Sequence, residues 1–290
     1  MARARGLAPW QPRAKSLALL DQVNAVLDEY RDHLPLTIRQ IFYRLVGAHG
    51  YDKTEQAYDR LGEMLNRARR AGFVPFDAIR DDGVDMRAPT AWNDSEHLVA
   101  AIRNTITNFR LDRQQGQPRR LLIAVEAAGM LPQIERIAAP YGIPVQSSGG
   151  FDSLTAKYGL AEFLGESPAA EVLHIGDHDP SGVHVFSSLA EDVCAICDDS
   201  GFEVDARFTR LAVTPEQIAT LGLPTAPPKA TDRRRFDGEN TVQAEAIPPD
   251  VLAENVRQAI DDRLDEAARQ QVLAAEAHAK AVLLSRFGAL

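Results

Sequence analysis

The chain of 290 residues predicts an α/β plus α fold, an N-terminal winged-helix-type helical domain followed by a parallel-sheet domain of Rossmann-like type. Three observations predict it. Residues 16–72 hold three segments with apolar residues at helical spacing. From residue 119 the pattern changes to strand–helix alternation, as in parallel α/β sheets. The strands themselves are near-continuous apolar runs, which marks strands buried on both faces.

Residues 1–15, MARARGLAPWQPRAK, form a basic arm. In SLALLDQVNAVLDEYRDH (16–33), Leu20, Val23, Leu27 and Tyr30 recur on one helical face. TIRQIFYRLVG follows, where Thr37 and Gln40 form a capping box and Gly47 is read as the stop. A third helix covers TEQAYDRLGEMLNRARRAG (54–72), with Leu61, Leu65 and Ala68 inward. FVPFDAIRDDGVDMR then supplies a small wing, which makes residues 16–90 a winged-helix unit. Residues 91–118 read as a connecting helix and a polar linker, DRQQGQPRR, that runs into the first strand.

The sheet domain spans 119–220. RRLLIAVE, IPVQSS, AEVLHIGD and EVDARFTRLAV are its strands. Helices lie at 131–139, at FDSLTAKYGLAEFLG and at VHVFSSLAEDVCAIC. A C-terminal helical extension, 221–290, starts with a Pro-rich loop and the basic patch Arg233, Arg234 and Arg235. There are no internal repeats and no GxxxxGK[ST] or GxGxxG phosphate loop.

Composition sets further bounds. Hydrophobic residues make up 45% and charged residues 25%, as in globular proteins. No apolar run approaches the ~18 residues of a membrane span. The basic start lacks the apolar core of a secretory signal, so a cytoplasmic location is expected. The first 120 residues carry 19 Lys+Arg against 15 Asp+Glu, and the rest carry 13 against 26. A basic front and an acidic back suit a DNA-binding module joined to a divalent-metal module. Cys194 and Cys197 end a predicted helix with no second CxxC, and read as small buried residues rather than a redox or zinc pair.

Two predicted strands end on carboxylates. Glu126 follows LLIAV, and Asp177 and Asp179 follow VLHIG in EVLHIGDHDPSG. Ligands of open α/β sheets bind at the carboxyl ends of strands. Three carboxylates there repel unless a cation or a proton intervenes, and hard oxygen ligands suit Mg²⁺, or Mn²⁺ in its place. Turn and helix-cap chemistry is the alternative reading of D-x-D-P-S-G. His174 and His178 flank the aspartates, but His174 lies within the strand, which argues against zinc.

On the helix of TIRQIFYRLVG, Ile38, Ile41, Phe42, Leu45 and Val46 define one apolar face at about 100° per residue. Tyr43 lies off that face with Arg39 one turn earlier, either a surface pair or a nucleophile toward phosphate beside a guanidinium. Arg60, Arg67 and Arg70 share one side of the third helix, and are read either as trackers of DNA phosphates or as a solvated face. SSGG (147–150) suits a backbone phosphate site or a tight turn.

LLIAVE followed about fifty residues later by HIGDHDPSG resembles the Toprim domain shared by topoisomerases, primases and some nucleases. LTIRQIFYRLVG resembles the catalytic helix of topoisomerase VI A subunits and their meiotic recombination relatives, and is closest to small stand-alone bacterial and phage proteins of that type. The resemblance covers roughly residues 35–220, and VQAEAIPPDVLAENVRQAI also looks typical of the stand-alone group. It implies a Toprim metal-binding domain at 119–220 and Mg²⁺-dependent cleavage of double-stranded DNA. Tyr43 would become linked to a 5′ phosphate, Arg39 would assist, and Glu126, Asp177 and Asp179 would hold Mg²⁺. Glu126 would also move protons to the leaving 3′ oxygen. In that family the tyrosine of one protomer works with the metal site of the other, so a homodimer is implied. No ATPase module is visible, so strand passage would need a separate ATPase partner. Ala127 and FDSLTAK, ending in Lys157, depart from the family pattern, Lys157 standing where its phosphate segment carries a basic residue. Two other functions fit the same residues: a Toprim nuclease in which water attacks, and a non-catalytic winged-helix DNA-binding protein.

Overall fold

A computed structural model describes residues 7–80, 89–147, 154–228 and 236–287. Three helices open the chain: α1 (Ala14–Glu29), α2 (Ile38–His49) and α3 (Glu55–Arg70). The Thr37–Gln40 capping box forms as expected, each side chain bonding the other residue's backbone N–H. Gly47 is not the stop. It lies inside α2 with open space around it, and α2 ends three residues later at Gly50, whose φ of 63° suits a residue without Cβ. Leu20, Val23, Leu27 and Tyr30 of the first segment and Leu61, Leu65 and Ala68 of the third are buried together.

The expected wing takes a different form where it is described. Ile79–Arg80 (β2) pairs in parallel with Leu36–Thr37 (β1), ahead of α2, while residues 81–88 lie outside the described residues. Helix α4 (Ser95–Thr107) follows, largely exposed. The linker expected after it is tied down. Gln114 is buried and bonds both the N–H and the carbonyl of Leu121, and Arg113 pairs with Glu276 at 2.6 Å. A buried amide that satisfies a strand's end from both sides is structural, despite its polar sequence.

All four predicted strands form one parallel sheet. They are β3 (Arg120–Val125), β4 (Val145–Ser147), β5 (Ala169–Ile175) and β6 (Asp205–Ala212), in the order β4-β3-β5-β6. Helices α5 (Leu131–Ala138), α6 (Leu154–Gly165) and α7 (Pro180–Ser200) make the crossovers. The pleat sends Leu122 and Ala124 to one face, where α6 and α7 close a core with Leu160, Leu164, Leu189, Val193 and Cys197. It sends Leu121, Ile123 and Val125 to the other face.

That second core is continuous with the core of the N-terminal helices. It also takes in the extension through α9 (Pro249–Asp261), whose Leu252, Val256 and Ile260 are fully buried. Short α8 (Pro215–Leu221) precedes it and α10 (Glu266–Phe287) follows. No helix among the described residues is long and apolar enough to cross a membrane. One core joining both ends of the chain has a consequence for stability. Leu252→Ala should destabilise the whole protein by about 2–5 kcal/mol, read as a shift of one cooperative urea transition. A separate early transition confined to the extension would contradict the shared core.

Candidate active site at the carboxyl edge of the sheet

The chain leaves β3 toward β4 on one side and returns to place β5 on the other, so the carboxyl ends of β3 and β5 flank the point where the winding reverses. That crevice is where open α/β sheets bind ligands. Glu126 is the residue after β3, and Asp177 and Asp179 follow β5. Glu126 Oε2 accepts the backbone N–H of Asp177 at 2.9 Å, tying the two strand ends together.

Close packing at this turn explains both glycines of GDHDPSG, the His174 ring standing 2.4 Å from where a Cβ on Gly176 would lie. A Cβ on Gly176 would lie 2.5 Å from Glu126 Oε2, and one on Gly182 would lie 2.3 Å from the Asp177 carbonyl oxygen and 3.0 Å from Glu126 Oε2. Pro180, Ser181 and Gly182 are thus not a turn but the first turn of α7. Asp179 is its N-cap, accepting the Gly182 N–H at 2.7 Å. The cap reading of Asp179 holds, and it coexists with a place in the carboxylate cluster.

Each of the three carboxylates spends one oxygen on a backbone N–H, Asp177 Oδ1 accepting that of Ala244 at 2.9 Å. Burial, with the charge of Asp177 added, pushes the Glu126 carboxyl up to about 7. Asp177 is raised too, first by burial. The sequence reading missed a fourth carboxylate. Glu245, in the 3₁₀ turn Ala244–Ala246, is raised by burial and by Asp177 to about 7. It missed Arg210 of β6 as well. That guanidinium donates to the carbonyls of Gly176 at 3.0 Å and Gly182 at 3.3 Å, and to that of Asp177. The only sequence signal for Glu245 was its place in VQAEAIPPD, and Arg210 had none.

Tyr43 departs from expectation. It is only 6% exposed, and it belongs to the same buried cluster as the α1 and α3 core, its ring meeting that of Phe42 edge-on. The face of α2 that carries it is covered by the extension, and the Tyr43 hydroxyl donates to Gln243 Oε1 at 2.7 Å. Burial raises its pKa to about 12, Glu245 and Asp177 adding to the effect and Arg39 opposing it. Arg39 sits 4.0 Å from Glu245 and over the Tyr58 ring. Its burial is outweighed by Glu245, Tyr58, Asp177 and Tyr43, which hold its pKa above the ordinary value. Tyr43 and Asp179 line one cleft of about 560 Å³ with Lys53, Ser181 and Gln243. Lys53, also missed, donates to the Pro224 carbonyl at 2.8 Å.

The other candidates lie apart from this cleft. Lys157 is held in an ion pair with Asp192 of α7. Arg60 and Arg67 are exposed along a groove between α1 and α3 that also contains Lys15 and Trp10, and Arg70 bonds Asn66 at 2.8 Å. Neutral His174 is fully buried against Phe186, burial pushing its pKa down to about 3. Residues 148–150 of SSGG and the Arg233–Arg235 patch lie outside the described residues.

Among the described residues no three His, Cys, Asp or Glu side chains are already arrayed as metal ligands. The donor chemistry nevertheless fits a hard divalent ion. The free oxygens are carboxylate oxygens, Glu126 and Glu245 are raised first by burial and then by the charge of Asp177, and Mg²⁺ keeps several waters and does not need three protein ligands. No family model, curated protein or solved structure matches the chain.

Two outcomes follow from this geometry. Gly→Ala inside a helix normally stabilises by about 1 kcal/mol, but Gly182→Ala should destabilise by about 1–3 kcal/mol through overpacking, read by urea denaturation. The second concerns pH. Glu126 binds its proton more tightly folded than unfolded, so the stability it lends is full below its ordinary value and is lost as pH rises to about 7. His174 acts oppositely, so a difference isolates Glu126. The melting temperature of Glu126→Gln minus that of wild type should grow by a few degrees from pH 5 to pH 8 without divalent ions. A flat difference would refute the raised proton affinity of buried Glu126.

Proposed function

We propose that this chain is a Mg²⁺-dependent DNA-cleaving enzyme of the topoisomerase VI A-subunit type, with a winged-helix-type N-terminal unit and a Toprim domain. The observation that carries the reading is the meeting of Tyr43 and Asp179 in one cleft, beside Glu126 and Asp177 at the switch point of the sheet.

The Tyr43 oxygen attacks phosphorus as its phenol proton passes to water in the cleft, the phosphorus–O3′ bond breaks, and a 5′-phosphotyrosyl link forms. Arg39 draws the phosphodiester in and favours the phenolate, opposing the burial that otherwise keeps Tyr43 protonated. Glu126 would pass a proton to the leaving 3′ oxygen; its value of about 7 is that of the cation-free site, which a bound cation would lower. Glu126, Asp177 and Asp179 would hold Mg²⁺, which when bound supplies charge stabilisation to phosphoryl oxygens. Within one chain Tyr43 and Asp179 line the same cleft. A homodimer would then present two such sites to the two strands of a duplex. Arg60 and Arg67, exposed on α3, would hold DNA phosphates outside the cleft.

A second reading is favoured by one observation. A phenol buried, bonded to Gln243 and raised to about 12 is a poor nucleophile at rest, which suits a Toprim nuclease using water. Supercoiled plasmid incubated with protein and Mg²⁺, stopped with detergent, separates the readings. Tyrosine attack leaves protein on 5′ ends, and Tyr43→Phe lowers cleavage at least about 100-fold (~2.7 kcal/mol). Free ends with Tyr43→Phe still active would establish water as the nucleophile. Binding without any cleavage by wild type would leave a DNA-binding protein.

A further inference from the structure

We infer that Glu245 is a fourth ligand of the divalent cation, so that cation binding and docking of the C-terminal extension onto the site are linked. The inference rests on the cation-dependent reading above and extends it to a residue outside the strand-end carboxylates.

Glu245 is 5% exposed, and its Oε2 is buried without a hydrogen-bond partner among the described residues. Its Oε1 has one neighbour of opposite charge, Arg39 Nη1 at 4.0 Å, beyond hydrogen-bond distance. That arginine is 43% exposed and also lies over the Tyr58 ring, so it compensates the carboxylate only in part. A buried carboxylate oxygen without a donor is costly unless a ligand completes it.

The surroundings point to a cation rather than a proton donor. Glu245 feels the charges of Asp177 and Glu126, and Asp179 acts on both of those residues. Against these four carboxylates stand the guanidiniums of Arg39 and Arg210. Arg210 directs its donors to the carbonyls of Gly176, Asp177, Gly182 and Val213, none to a carboxylate. At full ionisation four negative charges meet these two guanidiniums, with Lys53 of the same cleft the next cation, so negative charge stays in excess and a divalent ion offsets it.

The chain around Glu245 is already fastened to the same edge. Ala244 N–H bonds Asp177 Oδ1, Gln243 accepts the Tyr43 hydroxyl, and Arg44 bonds the Ala246 carbonyl. An ion bridging Glu245 to the strand-end carboxylates would tighten this docking, and docking would raise affinity for the ion by the same factor.

Mn²⁺ is the probe. The loss of its free-ion electron paramagnetic resonance signal is followed on titration into the full chain, Glu245→Gln and Asp177→Asn. Hydrogen exchange of peptides covering 241–247 is read with and without Mn²⁺. Wild type should bind Mn²⁺ and gain protection in 241–247. Glu245→Gln should bind at least ~10-fold more weakly and gain no protection. If Glu245→Gln binds as wild type does while Asp177→Asn loses binding, the inference fails and the cation-dependent reading stands. If wild type binds no Mn²⁺, both fall. Circular dichroism checks folding. Should Glu245→Gln be misfolded, Glu245→Asp, which keeps the charge but shortens the reach, is expected to show the same weakening, and unchanged binding there overturns the inference.

Discussion

The hydrogen bond from the Asp177 N–H to Glu126 Oε2 joins the ends of two neighbouring parallel strands where the winding of the sheet reverses. It brings a carboxylate into a space that any Cβ at 176 or 182 would fill. It also sets the Glu126 carboxyl beside Asp177 and Asp179, whose charges add to the burial that raises it. Much of the rest of the molecule answers that cluster. Arg210 braces the carbonyls of the same turn from β6, α7 begins with Asp179 as its cap, and the extension supplies the Ala244 N–H to Asp177.

The extension is therefore part of the site rather than an appendage. Through α9 it shares the core that also holds α1, α2 and α3, and through residues 243–246 it covers the face of α2 that carries Tyr43. The same contacts that assemble the cleft keep the phenol protonated, since burial and nearby carboxylates both oppose phenolate. The nucleophilic role proposed for Tyr43 would require something to shift the local charge. Arg39 already works in that direction, and a divalent ion beside Asp177 would work further in it.

Much of the fold is legible in order along the chain. Strands β3 and β5 appear where apolar runs placed them, because strands buried on both faces must be apolar throughout, whereas β4 and β6, only partly buried, followed from the strand–helix alternation. The capping box at Thr37 is equally local, whereas Gly47 misled because an isolated glycine inside a helix looks like a stop. Gln114 and Arg113 read as linker because polarity alone cannot show that a distant strand end and Glu276 need their donors.

Within the site, the sequence by itself determined Glu126, Asp177 and Asp179 at strand ends, since a carboxylate at the end of an apolar run has only a few physical explanations. It also placed Tyr43 and Arg39 one turn apart on a helix, a matter of spacing. Only the tertiary structure decided that Tyr43 is buried, that Gln243 holds its hydroxyl, and that Glu245 and Arg210 join the cluster. The Tyr43–Gln243 contact spans 200 residues of chain and the Arg210–Gly182 contact 28. Electrostatic coupling over such separations leaves no local pattern, because it depends on where the chain returns rather than on what stands next to it.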